Sequence, residues 1–368
     1  SHRDAVDNID FSADGRLVAS ASDDKTVRIW ETETGVESPL SPLVHRLDVD
    51  TAQFSPDGEW LATVADNEVR VWRFENFREP PQLFELAGIT TGCLSPTGQW
   101  IAAAAEDGRI KQWQAETGKP RMPDVNHGAE VTEIAYSPDG NWLITGDVSG
   151  KVRVWDAVTG QAVVHILNHD HPIAALVMPS NDFLVVANSD QVQSWRLPSG
   201  DVGPTLSLSS AARTLEASPD GDYLAVGCVG ASSVIIEAQT MTRIHSLTHG
   251  GPVNALDFSP HGLLATASDD RSARLWDVAT GEQQSRSMGH GGEVHCVQFS
   301  PSGKHLVTGG FDQRAILWST ETASVLGRAL NHRGTVSTAE FSPDGLRLAT
   351  ASSDYTARIW DVATTLPL

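Results

Sequence analysis

The sequence has few cysteines and no leader pattern. Only three of its 368 residues are cysteine, Cys93, Cys228 and Cys296, and no two are spaced like the ligands of a metal clip or a small disulfide framework. Each cysteine lies in an apolar, strand-like setting, which is typical of buried thiols in a reducing compartment. Since no charged and apolar signal segment opens the sequence either, a cytoplasmic location is expected.

Basic residues and long apolar runs are also scarce. Lysine and arginine number 26 against 47 aspartates and glutamates, which gives a net charge of −21. Such a surface repels phosphate backbones and anionic lipids, so neither nucleic acid nor a membrane is expected as a partner. No run approaches the roughly 18 consecutive apolar residues of a membrane-spanning helix. The composition therefore predicts a soluble protein.

The sequence shows no helical periodicity, but a short segment that usually contains tryptophan is repeated along it. Nine related segments, among them "VRIWE", "VRVWD" and "ARIWD", recur every 40 to 42 residues, ending at 31, 73, 114, 156, 196, 237, 277, 319 and 361. A turn resembling "SPDG" precedes most of them, and in most units a histidine stands 13 residues before the glycine of that turn. A period of this length indicates a repeat architecture that fills the whole chain.

Each unit has the pattern of a small antiparallel sheet. In the last unit "TVSTAEF", "LRLATAS" and "TARIW" alternate between apolar and polar residues, with "SPDG" and "SDY" as the turns. Alternation with period two between such turns predicts strands, and a weaker fourth segment completes the unit. Since one sheet of this size cannot bury both faces, the units are expected to stack around a common axis.

This combination of histidine, "SPDG" and Trp-Asp resembles the WD-repeat β-propeller family over essentially the whole chain. The resemblance implies an all-β fold, with a single closed propeller of four-stranded antiparallel blades over residues 1–368. Nine blades are predicted, with eight blades and one distorted unit as the alternative. Residues 363–368 follow the last tryptophan and are expected to form the outer strand of the first blade, which would close the ring.

The resemblance also implies a hydrogen-bonded set in each blade, made of a histidine, a hydroxyl residue, a turn aspartate and the tryptophan. Repetition argues against a catalytic triad, because an active site is needed only once; no catalytic residue, cofactor or metal is therefore expected. The fourth blade has Ser149 where the aspartate is expected, and the sixth blade lacks all four residues. Five sets are predicted to be complete: His2, Ser20, Asp24 and Trp30; His45, Thr63, Asp66 and Trp72; His249, Thr266, Asp270 and Trp276; His290, Thr308, Asp312 and Trp318; and His332, Thr350, Asp354 and Trp360.

A binding site is sought where the blades differ. Aromatic residues and arginines are enriched at interaction hot spots, and several are expected on the face that carries the histidine loops and the aspartate turns. Alternatively, the two aromatic residues only cover neighbouring turns. The candidate partner-binding residues are Arg3, Lys25, Arg271, Phe311, Arg333 and Tyr355. The segment "RFENFREPPQLF", residues 73–84, is a second candidate surface.

The expected function is a non-enzymatic scaffold or sensor domain that binds a protein or peptide, and a monomer is expected. The resemblance further implies a place in a larger intracellular signalling or regulatory protein. The alternative is a channel that holds a cation or small ligand and acts as a hydrolase. The acidic residues that would line such a channel are Asp10, Glu216, Asp257 and Glu340.

Overall fold

The computed structural model describes residues 1–39, 41–65, 68–73, 82–86, 88–168, 171–284 and 286–367, with only the backbone for 82–85 and 164–168. Within these ranges the regular elements are all strands, as the alternation predicts. No helix in them is long and apolar enough to cross a membrane.

The strands form nine antiparallel sheets, one for each sequence unit. Blades one to three contain β1 (Val6–Phe11), β2 (Leu17–Ser22), β3 (Thr26–Glu31), β4 (Leu43–Val44), β5 (Val49–Phe54), β6 (Trp60–Ala65), β7 (Glu68–Arg73), β8 (Gln82–Glu85), β9 (Ile89–Leu94), β10 (Trp100–Ala105), β11 (Arg109–Gln114) and β12 (Val125–Asn126). Blades four to six contain β13 (Val131–Tyr136), β14 (Trp142–Asp147), β15 (Lys151–Asp156), β16 (Ala162–Asn168), β17 (Ala175–Ser180), β18 (Phe183–Ala187), β19 (Gln191–Arg196), β20 (Asp201–Ser207), β21 (Ala212–Ala217), β22 (Tyr223–Cys228), β23 (Ser232–Glu237) and β24 (Thr242–Thr248). Blades seven to nine contain β25 (Val253–Phe258), β26 (Leu263–Ser268), β27 (Ser272–Asp277), β28 (Met288–Gly289), β29 (Val294–Phe299), β30 (His305–Gly310), β31 (Arg314–Ser319), β32 (Leu330–Asn331), β33 (Val336–Phe341), β34 (Arg347–Ser352) and β35 (Thr356–Asp361).

The order of strands in a blade follows the order in the chain, from the inner strand at the axis to the outer strand at the rim. The turns between the inner and second strands, where "SPDG" lies, emerge on what we call the bottom face. The histidine loops and the turns between the second and third strands emerge on the opposite, top face. The second strand is buried along almost its whole length, as in β34, because its two faces pack against the neighbouring blades.

The hydrophobic core lies between the blades. Nine clusters of buried residues are present, and each combines side chains from two adjacent blades. One of them joins Val6 and Phe11 of the first blade to Ala349 and Ile359 of the last. The ring of nine blades predicted from the sequence is thereby confirmed and closed by apolar packing.

The expected role of residues 363–368 is wrong. The outer strand of the first blade is β4, and Pro367 instead forms a bridge with Trp360 of the ninth blade. The four strands of the first blade, β1 to β4, all come from the first sequence unit. Two hydrogen bonds join the first and last blades: the His2 amide donates to the Tyr355 carbonyl at 3.1 Å, and the Ser337 hydroxyl donates to the Val6 carbonyl at 3.0 Å.

Candidate functional site

The polar sets have the geometry that the resemblance implies. In the ninth blade the Trp360 indole N–H donates to Thr350 Oγ1 at 2.9 Å, and Thr350 lies 2.7 Å from His332 Nε2. His332 Nδ1 faces Asp354 at 3.2 Å. A neutral histidine that accepts from the hydroxyl and donates to the carboxylate satisfies all of these buried groups. The chain of donors thus ties the second and third strands of the blade, and the turn between them, to its histidine loop.

Four of the five predicted sets are complete in the structure. The first, seventh and eighth blades repeat the arrangement, with histidine-to-aspartate distances of 3.0 to 3.1 Å and histidine-to-hydroxyl distances of 2.7 Å. In the second blade His45, Thr63 and Trp72 are joined as predicted, but Asp66 lies outside the described residues. There Glu68 Oε1 is 3.2 Å from His45 Nδ1 and provides a carboxylate.

The fourth blade contains a set that the sequence comparison missed. His127 Nδ1 lies 2.7 Å from Thr145 Oγ1, to which the Trp155 indole N–H also donates. The buried carboxylate of Asp147 stands 3.3 Å from His127 Nε2 but forms no hydrogen bond with it, whereas the sequence pointed to the later position of Ser149. In both the second and the fourth blades, an acidic residue two positions from the expected one could have identified this carboxylate from the sequence: Glu68 and Asp147.

Burial makes these histidines structural rather than catalytic. Desolvation lowers the pKa of His2, His249 and His290, and it lowers the pKa of His45 and His332 to about 4. The rings are therefore neutral at physiological pH, and their side chains are inaccessible to solvent. An inaccessible ring cannot exchange a proton with a substrate.

The turns on the top face have an unusual backbone in four consecutive blades. Arg271, Gln313, Tyr355 and Lys25, of blades seven, eight, nine and one, have φ values between 67° and 70°. The same position is glycine in blades three and four, at Gly108 and Gly150. In each of the four turns the carbonyl of the left-handed residue accepts from the backbone amide of the next histidine, at 2.8 to 3.1 Å. The turn therefore joins two blades and presents its side chain outwards.

The six predicted surface residues are all exposed on this face. Phe311 is 57% exposed and Tyr355 is 48% exposed, and the Phe311 ring lies 5.2 Å from that of His295. Because His2 donates to the Tyr355 carbonyl, Arg3 lies at the same junction of blades as Tyr355. Gln313 belongs to the same series, and the sequence comparison did not single it out. Of the second candidate surface, residues 74–81 lie outside the described residues.

The channel acids reach across to the next blade. Asp10 Oδ2 accepts from the Phe54 amide at 2.5 Å, and Asp257 accepts from the Phe299 amide in the same way. Gln298 repeats this contact with the Phe341 amide at 2.7 Å. These side chains therefore join adjacent inner strands. No group of three or more histidine, cysteine or acidic residues in the described part of the chain could hold a metal ion.

Burial keeps these carboxyl groups protonated more readily than usual. It raises the pKa of Asp10 to about 7 and that of Glu340, which also faces Asp10, to about 8. Burial and the neighbouring Asp257 raise the pKa of Glu216 to about 8. The same burial raises the pKa of the Cys93 and Cys296 thiols to about 12, so these two thiols are not reactive at neutral pH.

We expect the free energy of unfolding to fall between pH 6.5 and pH 8.5. Carboxyl groups with a raised pKa bind protons more tightly in the folded chain, so their stabilising contribution is present below their unfolded pKa and is lost as the pH rises through about 8. The buried histidines have lowered pKa values and lose stability only below about pH 6.5, outside this window. Urea unfolding at constant ionic strength measures the trend. In the Glu216→Gln, Glu340→Gln variant it should flatten, and an unchanged trend would contradict the assignment.

A model of the "WD domain, G-beta repeat" family matches residues 1–31, 38–73, 84–114, 121–156, 241–277, 281–319 and 325–361. Together these segments cover more than half of the chain. The unmatched stretch contains the fifth and sixth blades, where the polar set has decayed. In the sixth blade the hydroxyl and tryptophan positions are the buried Val226 and Ile236, within an apolar cluster.

Two curated proteins are similar to much of the chain. Serine-threonine kinase receptor-associated protein from Homo sapiens is 25% identical over 287 residues, which cover 76% of this chain and 69% of that protein. Telomerase protein component 1 from Rattus norvegicus is 24% identical over 285 residues, 73% of this chain but only 10% of that protein. Among solved structures, the computationally designed Ika8 protein superposes with a TM-score of 0.65 at 22% identity, covering 98% of this chain and 97% of that one, which shows the fold alone.

Proposed function

Since this chain belongs to the WD40 repeat family, we propose that it is a non-enzymatic interaction scaffold whose top face, at blades seven, eight, nine and one, binds a protein or peptide. The proposed docking residues are Arg3, Lys25, Arg271, Phe311, Arg333 and Tyr355, and we add Gln313 because it occupies the same left-handed turn position.

The left-handed turns carry this proposal. A non-glycine residue at φ near 68° costs on the order of 1 kcal/mol relative to glycine, and glycine occupies the position in blades three and four. Four consecutive blades nevertheless have Arg271, Gln313, Tyr355 and Lys25 there. A strained position that keeps a large side chain at the surface is typical of functional sites. The side chains are therefore held in place for an external partner.

The chemistry of these side chains suits a polypeptide. Tyr355 and Phe311 offer aromatic surface, and Arg3, Arg271 and Arg333 offer planar donors for carboxylates and backbone carbonyls. The protein as a whole carries a net charge of −21, so these exposed arginines are among its few basic side chains. A partner segment with acidic and apolar residues would complement it.

The wider setting belongs to the same proposal. Among the relatives, one is named for its association with a kinase receptor and another is a "COMPASS component" from Saccharomyces cerevisiae, 41% identical over 71 residues. By analogy, this chain acts as a monomeric module of a cytoplasmic regulatory assembly. The channel is not favoured as a site, because the carboxyl groups of Asp10 and Asp257 are bonded to backbone amides of the neighbouring blade.

We expect an Arg271→Gly, Phe311→Ala, Tyr355→Gly variant to lose its partners at least tenfold in quantitative affinity capture. Glycine relieves the left-handed φ, so the two glycine substitutions should not impair folding. A matched control replaces three exposed residues of the bottom face, as Arg16→Ala, Val158→Ala and Leu346→Ala. If the bottom-face variant loses the same partners, or if the top-face variant keeps them, the proposed surface is wrong.

A further inference from the structure

On the bottom face, the "SPDG" turns interlock around the ring. In seven turns a Cβ atom built on the glycine meets the preceding blade's turn within 4 Å, for example at 3.6 Å from Pro301 at Gly345 and 3.6 Å from Pro96 at Gly140. The other five turn glycines with such a contact are Gly15, Gly58, Gly98, Gly221 and Gly303. The fifth blade has no such glycine, but Asn181 Oδ1 accepts from the Asp139 amide of the fourth blade at 2.9 Å.

The junction of blades six and seven is different. A Cβ built on Gly262 meets nothing within 4 Å. The cause lies in the sequence: "SPHG" leads directly into Leu263, whereas "SPDG" elsewhere is followed by one further residue before the second strand. Accordingly the Ser259 amide donates to Leu263, four residues on, while the Ser342 amide donates to Arg347, five residues on. The turn is one residue shorter than the others, and its glycine lacks the contact with the turn of the preceding blade.

A cleft of about 490 Å³ lies at the junction of blades six and seven. Its lining includes the aromatic rings of Tyr223 and Phe258, the prolines Pro219 and Pro260, and the carboxylates of Asp220 and Asp277. Neither lysine nor arginine is among the described residues that line it. An apolar surface with a few charges of one sign is typical of a ligand site.

Both carboxylates are ionised at neutral pH. Hydrogen bonds from Ser218 and from the Asp222 amide lower the pKa of Asp220. The Thr280 amide and hydroxyl lower the pKa of Asp277. By contrast, a cavity of about 520 Å³ between blades eight and nine contains an ion pair in which Arg347 and Asp361 neutralise each other at 2.5 Å. In the described residues neither Asp220 nor Asp277 is paired with a lysine or arginine, and the basic groups near the cleft are the rings of His245 and His261.

We propose that this cleft binds an extended peptide segment in which a lysine or arginine is adjacent to an apolar residue. The apolar side chain packs against Tyr223 and Phe258, and the cation pairs with Asp220 and Asp277. This site lies on the face opposite to the proposed top-face surface and does not depend on it.

Selection of random heptapeptides on the full chain tests the proposal. The most enriched peptide is synthesised with a fluorescent label, and its affinity is measured by fluorescence anisotropy at low and moderate salt. We expect lysine or arginine beside an apolar residue, and an affinity at least tenfold weaker for the Asp220→Asn, Asp277→Asn variant. A neutral or acidic consensus, no enrichment over a blank surface, or unchanged affinity in this variant would overturn the proposal.

A control in the fourth blade isolates the effect of the cleft. Asp139 and Asp156 accept the same turn hydrogen bonds as Asp220 and Asp277. They lie in one blade and so at two different junctions, where the turns of neighbouring blades are in contact. The Asp139→Asn, Asp156→Asn variant should therefore bind the peptide like the parent protein. Inserting one asparagine between Gly262 and Leu263 restores the common turn length and should abolish binding. The top-face variant should retain it, which separates this site from the proposed scaffold surface.

Discussion

Replacing Trp360 with alanine is expected to lower the free energy of unfolding by about 3 to 5 kcal/mol. The ring is 5% exposed and packs between blades eight and nine beside Leu330, Phe341 and Leu348. Its removal leaves a cavity at the junction, because the flanking strands are fixed by their own ladders. It also deprives Thr350 of the indole donor. Urea denaturation, followed by far-ultraviolet circular dichroism, measures the change.

The Trp360→Phe variant separates the packing term from the hydrogen bond. Phenylalanine fills most of the space but has no N–H for Thr350, so its cost should be on the order of 1 to 2 kcal/mol. A loss of less than about 1 kcal/mol for the alanine variant, set against the usual cost of a buried aromatic truncation, would mean that this junction does not contribute to the stability of the ring.

The blade pattern could be predicted from the sequence because it depends on local features that recur. Alternation, "SPDG" turns and the Trp phrase each specify one blade, and the core between blades follows from stacking such units. The polar sets were predictable through the resemblance to the WD-repeat family, which assigns a partner to each repeated histidine. The identity of the carboxylate beside the histidine could not be predicted in every blade. In the second and fourth blades it belongs to Glu68 and Asp147, two residues away from the expected position, because this depends on how each turn folds.

Features that depend on the neighbouring blade escaped sequence reasoning. The acidic residues of the inner strands were predicted to line a channel, yet the side chains of Asp10 and Asp257 accept hydrogen bonds from the next inner strand. The closure of the ring was assigned to the C-terminal residues, whereas apolar packing between Val6 and Ile359 and their neighbours provides it. The shortened turn at Gly262 was visible in the spacing, but the cleft follows only from the missing contact with the sixth blade.

Replacing Asp354 with alanine should cost about 1.5 to 3 kcal/mol, because the hydrogen bonds to its charged carboxylate are lost and their donors are left without an acceptor. Its carboxylate accepts from the Arg333 and Thr356 amides and from the Thr356 hydroxyl, and it pairs with Arg358 and His332. These contacts lower the pKa of Asp354 to about 2. Its contribution is therefore complete above about pH 4 and lost as the pH falls through about 2. Urea unfolding at pH 7 measures the loss.

Asp344→Ala is the matched control, because this carboxylate also accepts a hydroxyl and a backbone amide but lies exposed in a bottom-face turn. It should cost about 1 kcal/mol, as for one or two exposed hydrogen bonds. Equal losses for the two variants would contradict the stabilising role of the buried set.

Asp354 also fixes the turn that presents Tyr355 and the amide of Arg333. Its replacement should therefore weaken partner capture by the top face as well as lower the stability of the fold. The framework set and the proposed binding surface are thus linked through a single carboxylate.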